Sequence, residues 1–402
     1  MDRVEFEDRL KEYEDRFKAM EPEMELTIRD PELGVEGWVV VWSTLNCKDS
    51  PLGRVGKGGT RIHSGMSLDE LRMLARTQTL KNAAAGIGTG GAKSGMKDDP
   101  QSPDFETRYR RFVQLVSPAL RENGGPWGGL GYDIGAHPDH CLWACDELDS
   151  TTCFTGKTVE MGGTDYDVEG IAGLGVAVAA KTLLEETGRS PSSATIAVQG
   201  VGAMGAAVCR YAAEQGMTIR FIADPRIGGC WRLETEFEGA LRDTIIKMDM
   251  EGARKALEEG PHICMELDDV LEQAVDILFP CAVHDVITSD NVDRVTASAV
   301  VEGANNPCSS DARRELHARG VTVIPDIIAN PGGAIAAYIE LTSEVTNEEN
   351  AATRAKVAEA KQYTEEKVAE NVRAMLELAD SAGVDPARAA LMLAYRRVFG
   401  EE

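Results

Sequence analysis

The sequence predicts an α/β chain whose second half is a parallel, doubly wound sheet. Three observations carry this. Short apolar runs at 194–198, 218–223, 277–279, 299–301 and 321–324 alternate with helical stretches. A glycine-rich turn, Gly200-Val201-Gly202-Ala203-Met204-Gly205, follows the first run and opens a helix to about Gln215. An acid, Asp224, ends the second run, 19 residues after Gly205. With 402 residues, the chain is long enough for two domains, each with its own core.

The first half reads differently. Residues 3–19 predict a helix with Val4, Phe6, Leu10, Tyr13 and Phe17 on one face. Strand-like runs fill 22–47, notably Trp38-Val39-Val40-Val41-Trp42. A helix over 68–86 is followed by a Gly-rich stretch to Gly95, and a further helix spans 104–122. Residues 124–129 are punctuated as a loop. A Gly- and Ala-rich helix occupies 169–187, and the chain is helical after about 330, with a strongly charged helix at 346–380.

Composition removes several function classes. The net charge of −25 argues against nucleic acid as a partner, because phosphate binding needs a basic surface. No apolar run is long enough to span a bilayer, and the N-terminus lacks the pattern of a signal peptide. The nine cysteines are scattered, and the pair Cys141 and Cys145 has no matching second pair, so no metal site is predicted. A reducing cytoplasm fits this usage. The acid excess reads as a solvated surface or as adaptation to high salt.

The turn at 200–205 has the context a dinucleotide fingerprint needs: strand before, helix after, acid at the end of the second strand. Gly200 permits the tight turn, Gly202 lets backbone approach a pyrophosphate, and Gly205 lets helix and strand pack closely. The helix N-terminus, at Ala203 and Met204, offers N–H groups to the phosphates. Asp224 is placed to accept from the adenosine ribose hydroxyls, which favours NAD. Arg226, two residues on, keeps NADP open.

Lysine usage marks a second site. The 42 basic residues are 14 Lys and 28 Arg. Three lysines fall in one short stretch: Lys57-Gly58-Gly59-Thr60-Arg61, Lys81-Asn82, and Gly90-Gly91-Ala92-Lys93. An ammonium is a compact charge whose pKa burial can lower, which a guanidinium cannot match. Three of them near one cleft suit a dicarboxylate, with one serving as base. His137 and His140 read as helix-start or packing residues.

Together these motifs resemble the glutamate/leucine/phenylalanine/valine dehydrogenase family, from about Trp38 to Glu340. Tyr132-Asp133-Ile134-Gly135 is similar to its catalytic aspartate loop, and Thr155-Gly156-Lys157 to its crossing into the cofactor domain. The runs ending at Asn305 and Asn330 match its later motifs. The resemblance implies a substrate domain at 1–165, a Rossmann-type dinucleotide domain at 166–328, and C-terminal helices at 329–402 returning to the first domain. It implies NAD- or NADP-dependent oxidative deamination of an L-amino acid to a 2-oxo acid and ammonia, and the reverse. It implies a homo-oligomer, commonly of six subunits. Lys81 would hold the α-carboxylate, Lys93 with a lowered pKa would activate water, and Asp133 would exchange protons with the amino group. Gln78, Asn330, Gly333 and Ala337 would face the substrate, and Asn305 the cofactor.

Substrate choice is where the chain departs from the family. In the glutamate-specific branch, a lysine at the place of Lys57 and a late serine both hold the side-chain carboxylate. Here the serine's place is Ala337. The missing hydrogen bond is worth about 1–3 kcal/mol when made to a charge. The branched-chain and aromatic branch has apolar residues at both positions. A buried lysine facing an apolar side chain is costly, so Lys57 must pair, turn away or lose its proton. Glutamate is therefore the favoured substrate. A neutral branched-chain or aromatic amino acid is the alternative, and a non-catalytic regulatory paralogue a third reading.

Overall fold

The computed structural model describes residues 1–48 and 50–401. They form two compact units. One comprises Asp8–Tyr166, Ala334–Ala360 and Leu391–Glu402; the other comprises Met1–Glu7, Asp167–Gly333 and Lys361–Ala390. These borders differ from a division at 165 and 328. The helices after residue 330 are shared between the units, and residues 361–390 belong with the dinucleotide sheet.

In the first unit, Val35–Ser43 and Gly90–Met96 are the inner strands of a five-stranded sheet. They pair antiparallel, with Val40 opposite Lys93. Met24–Asp30 flanks one side; Gly56–Lys57 and Thr60–Ile62 pair parallel to Gly90–Met96. Val35–Ser43 is buried almost throughout, which explains its unbroken apolar run. The helix Leu68–Ala85 lies across the sheet. It starts where the Ser67 side chain accepts from the Glu70 N–H and stops at Gly86, whose φ is 68°. Glycine in Gly90–Met96 has a packing reason: a Cβ on Gly91 would lie 2.1 Å from Thr79 Oγ1 of that helix. The helix Phe105–Val116 covers the other region of the core with Tyr109, Phe112 and Val113 against Val39 and Val41. His137 caps the helix Pro138–Leu148, and His140 is buried among Phe105, Tyr109 and Trp143. Val4, expected on the apolar face of the first helix, is 71% exposed.

The second unit holds a seven-stranded sheet. Its parallel part runs, in spatial order, Thr218–Asp224, Thr195–Gln199, Ile277–Pro280, Ala299–Val301 and Thr322–Ile324. Two further strands, Gly229–Arg232 and Ile263–Met265, add antiparallel at one edge. The order reverses between Thr195–Gln199 and Ile277–Pro280. In an open doubly wound sheet, that switch point is where a ligand crevice forms, outside the strands' carboxyl ends. Gly200–Gly205 sits there.

Candidate active site

Sheet geometry brings Lys93 to Asp133. Lys93 projects from the buried strand Gly90–Met96 and its Nζ lies 2.5 Å from Asp133 Oδ2. Arg61 Nη2 donates to Asp133 Oδ1 at 3.0 Å, and the Ile134 N–H donates to the same oxygen at 2.7 Å. Burial alone would raise the Asp133 pKa. Lys93, Arg61 and the Ile134 N–H outweigh it and hold the carboxylate below its usual range. Arg61 also reaches Glu70, which His63 contacts at 3.1 Å. Arg61 belongs to the Lys57–Arg61 motif, but the sequence carries no signal of its place beside Asp133, since 72 residues separate them.

Helix Leu68–Ala85 carries Gln78 and Lys81. Lys81 is half-buried. Gln78 donates to Asn82 Oδ1 at 2.8 Å, and Asn82 donates to the carbonyls of Lys57 and Gly90 at 3.0 and 2.7 Å. Asn82 thus ties the helix to the parallel strand pair that bears Lys57 and leads to Lys93.

Lys57 is 6% exposed. Its Nζ donates to the carbonyls of Gly129 and Leu130 at 2.7 and 2.6 Å and, more weakly, to that of Gly58 at 3.4 Å, and no carboxylate pairs with it among the described residues. Burial first, then the nearby Lys157 ammonium, pull its pKa down to about 7. A Cβ on Gly131 would sit 3.2 Å from both Lys57 Nζ and Thr155 Oγ1, so these two polar atoms share one wall. Ala337 is buried in the helix Gly332–Thr342, and Glu340 of that helix binds Lys157 at 2.9 Å.

The dinucleotide residues form a cradle. Gly200 has a φ of 84°, and a Cβ on Gly205 would lie 1.7 Å from the Gly200 carbonyl oxygen. Gly202 precedes the helix Ala203–Glu214, and no side chain caps its first N–H groups. These features fit a pyrophosphate. Asp224 is not free as the sequence suggested. Its oxygens accept from the Val201 N–H and from Arg226 through N, Nε and Nη2, at 2.8–3.1 Å. Arg226 Nη2 lies 3.4 Å from the Cβ position of Gly202, and the Arg226 side chain is half exposed. Asn330 is buried and donates to the Gly303 carbonyl at 2.9 Å and to Asn305 Oδ1 at 3.2 Å. Its own Oδ1 is buried without a partner, an acceptor that a bound amide or ammonium donor would satisfy. Beneath this loop, Arg313 makes a bidentate pair with Glu302, which is fully buried and also accepts from the Asp326 N–H. Burial raises the Glu302 pKa despite Arg313.

The lysine–aspartate pair of one unit suits acid–base chemistry, and the glycine turn of the other suits a dinucleotide, the two parts of a dinucleotide-dependent enzyme. Comparisons with known proteins agree. Residues 30–149 match the Glu/Leu/Phe/Val dehydrogenase dimerisation domain, and residues 162–402 match Glutamate/Leucine/Phenylalanine/Valine dehydrogenase. A glutamate dehydrogenase of Thermotoga maritima is 32% identical over 336 residues, covering 81% of this chain and 78% of that protein. An NADP(+)-dependent glutamate dehydrogenase of Pyrobaculum calidifontis is 34% identical, covering 71% and 68%. The hetero-hexameric glutamate dehydrogenase of Thermus thermophilus superposes with a TM-score of 0.74 at 25% identity, covering 99% and 96%. The chain belongs to the Glu/Leu/Phe/Val dehydrogenase family and is an amino-acid dehydrogenase. No helix is long and apolar enough to cross a membrane among the described residues.

Proposed function

We propose that the chain catalyses the oxidative deamination of L-glutamate to 2-oxoglutarate and ammonia, and the reverse, as a homo-oligomer in the cytoplasm. The observation that carries this reading is Lys57: buried, held by backbone carbonyls alone, and without a carboxylate partner among the described residues. A buried ammonium with no acid of its own is costly. A substrate carboxylate supplies the missing charge, and Thr155 Oγ1 on the same wall supplies the hydroxyl that Ala337 cannot. Relatives named glutamate dehydrogenase at 32–34% identity support the same reading. Six subunits are favoured for the assembly, in line with the hexameric structural neighbour.

In this reading Lys81 holds the α-carboxylate, aided by Gln78. A nicotinamide, when bound, would supply the hydride acceptor that oxidises the substrate's Cα–N bond; the chain's own residues bind the substrate and move the protons. Lys93 takes a proton from the attacking water, and Asp133 carries protons to and from the substrate nitrogen. The short Lys93–Asp133 contact places both groups for this exchange, and Arg61 holds the carboxylate in position.

The Lys57 pKa gives a pH prediction. Its ammonium is present below about pH 7 and lost above it in the free enzyme. Glutamate binding must then restore that proton, so KM for glutamate rises with pH, up to about tenfold per unit. KM for a neutral amino acid has no such dependence. Initial rates from about pH 6 to 9 check this. A glutamate KM that stays flat while Lys57→Met leaves it unchanged removes Lys57 from the substrate site.

Cofactor choice rests on the Asp224–Arg226 pair. We propose that Asp224 serves NAD once Arg226 swings away, and that Arg226 meets the 2′-phosphate of NADP. Ala203 and Met204 face the phosphates, and Asn305 the nicotinamide end. The expected outcome for Arg226→Ala is a KM for NADP raised about tenfold or more, from loss of a charged hydrogen bond, with KM for NAD unchanged or lower. Equal effects on both cofactors would remove Arg226 from the discrimination.

A further inference from the structure

A cavity of about 260 Å³ opens within the unit that carries Lys93 and Asp133, yet none of Lys81, Lys93 or Asp133 lines it. Its lining includes Lys157, Lys356 and Glu340. Both lysines are about 5% exposed. Glu340 is already saturated. Its two oxygens accept from the Gly156 N–H, Lys157 Nζ, and the N–H and hydroxyl of Thr164, all at 2.8–3.1 Å. Lys157 also donates to the Phe154 carbonyl at 2.6 Å. Lys356 Nζ has one acceptor, the Gly162 carbonyl at 3.0 Å, and no carboxylate in ion-pair range among the described residues. Two buried ammonium groups therefore face one carboxylate with no lone pair to spare. One N–H remains on Lys157 and two on Lys356.

Such an excess of buried positive charge is unfavourable unless an anion offsets it. Burial first, then the Lys157 charge, lower the Lys356 pKa, against the opposing pull of Glu340 and Glu359. The remaining walls are mixed. Leu120, Leu341 and Val345 are apolar, and Arg121 and Glu122 are exposed. Glu122 is occupied by the hydroxyls of Ser150 and Thr152. A bare inorganic anion would leave the apolar walls unused. The volume is below that of pockets built for drug-sized ligands.

We propose that this cavity is a binding site for a small organic carboxylate, separate from the residues that carry the reaction. Its carboxylate oxygens accept from Lys157 and Lys356, and its apolar body lies on Leu120, Leu341 and Val345.

Butyrate is a suitable probe, because it has a carboxylate and an apolar body but no amino or oxo group to react. Isothermal titration of the full chain compares wild type with Lys356→Gln, Lys81→Gln and Val345→Trp. Butyrate binds wild type and Lys81→Gln alike. It binds Lys356→Gln about tenfold more weakly or not at all, through loss of a charge-assisted hydrogen bond. Val345→Trp keeps both lysines and fills the cavity, so it also loses binding, which covers the case of a misfolded Lys356→Gln. Three results overturn the proposal. One is no butyrate binding to wild type. Another is binding lost in Lys81→Gln but kept in Lys356→Gln and Val345→Trp, which would place the anion on the substrate lysine. The third is binding of inorganic phosphate or chloride in place of butyrate.

Discussion

Lys93→Ala lowers kcat by about 10²- to 10⁴-fold, the range for loss of a positioned acid–base group. The expected effect on KM for the amino acid is small, because Lys81 and Lys57 remain. Lys93 comes from a fully buried strand, and its Nζ is 2.5 Å from Asp133 Oδ2. Among the described residues, Asp133 has one other cation, Arg61, and a guanidinium does not give up its proton at working pH. Lys93→Arg therefore keeps the charge beside Asp133 but not the base, and it too is expected to lose kcat. If Lys93→Arg retained activity within tenfold of wild type, Lys93 would be an electrostatic partner of Asp133 and not the base.

The second large effect is on stability. Arg313→Met leaves the Glu302 carboxylate at 0% exposure without its countercharge. Breaking a buried pair from one side costs about 3–5 kcal/mol. That is a large share of the roughly 5–15 kcal/mol that holds a typical domain folded. Glu302 also accepts from the Asp326 N–H, and Asp326 accepts from the Asn306 N–H at 3.0 Å. The disturbance therefore reaches the loop of Asn305. In Arg313→Met the carboxylate escapes its penalty by taking a proton, so the loss shrinks as pH falls. Adding Glu302→Gln removes the unpaired charge and recovers part of the stability. Urea unfolding of both single variants and the double variant measures this. A cycle without interaction energy would show that the pair is not a unit.

The fold was largely legible where local chemistry decides it. The helix over 68–86 is found at Leu68–Ala85, because Ser67 caps its start and Gly86 supplies the left-handed turn at its end. The strand over 218–223 is found at Thr218–Asp224, and the glycine turn lies at the switch point. Local patterns fail where distant packing decides. The glycine-rich stretch after residue 86 contains the inner strand Gly90–Met96; its glycines answer to close neighbours, Ser43 at Gly90, Thr79 at Gly91 and Met66 at Gly95, and not to strand propensity. Gly229–Arg232 and Ile263–Met265 are short strands of three or four residues, the second an edge strand and largely exposed, with no apolar period to announce them.

The site divides the same way. Lys57, Lys81 and Lys93 stand out by spacing and by the rarity of lysine. Their partners do not. Lys157 and Glu340 are 183 residues apart, Arg61 and Asp133 72 apart, and a charged residue carries no local mark of the partner it meets. Arg226 was visible, but its bidentate grip on Asp224 was not, and that grip changes the cofactor question. Physics did limit Lys57 in advance to three states: paired, turned away, or deprotonated. In the structure it lies on backbone carbonyls with a pKa near 7, and in the proposed reading a substrate carboxylate is the partner that would hold its proton.

The central claim is that this dehydrogenase reads a side-chain carboxylate through Lys57. The most direct measurement is kcat/KM for L-glutamate, L-leucine and L-phenylalanine at about pH 7, in wild type and Lys57→Met. The account predicts that glutamate exceeds both neutral substrates in wild type, and that Lys57→Met removes about 1.5–3 kcal/mol of that preference, roughly ten- to a hundredfold. Leucine or phenylalanine exceeding glutamate tenfold in wild type would contradict it.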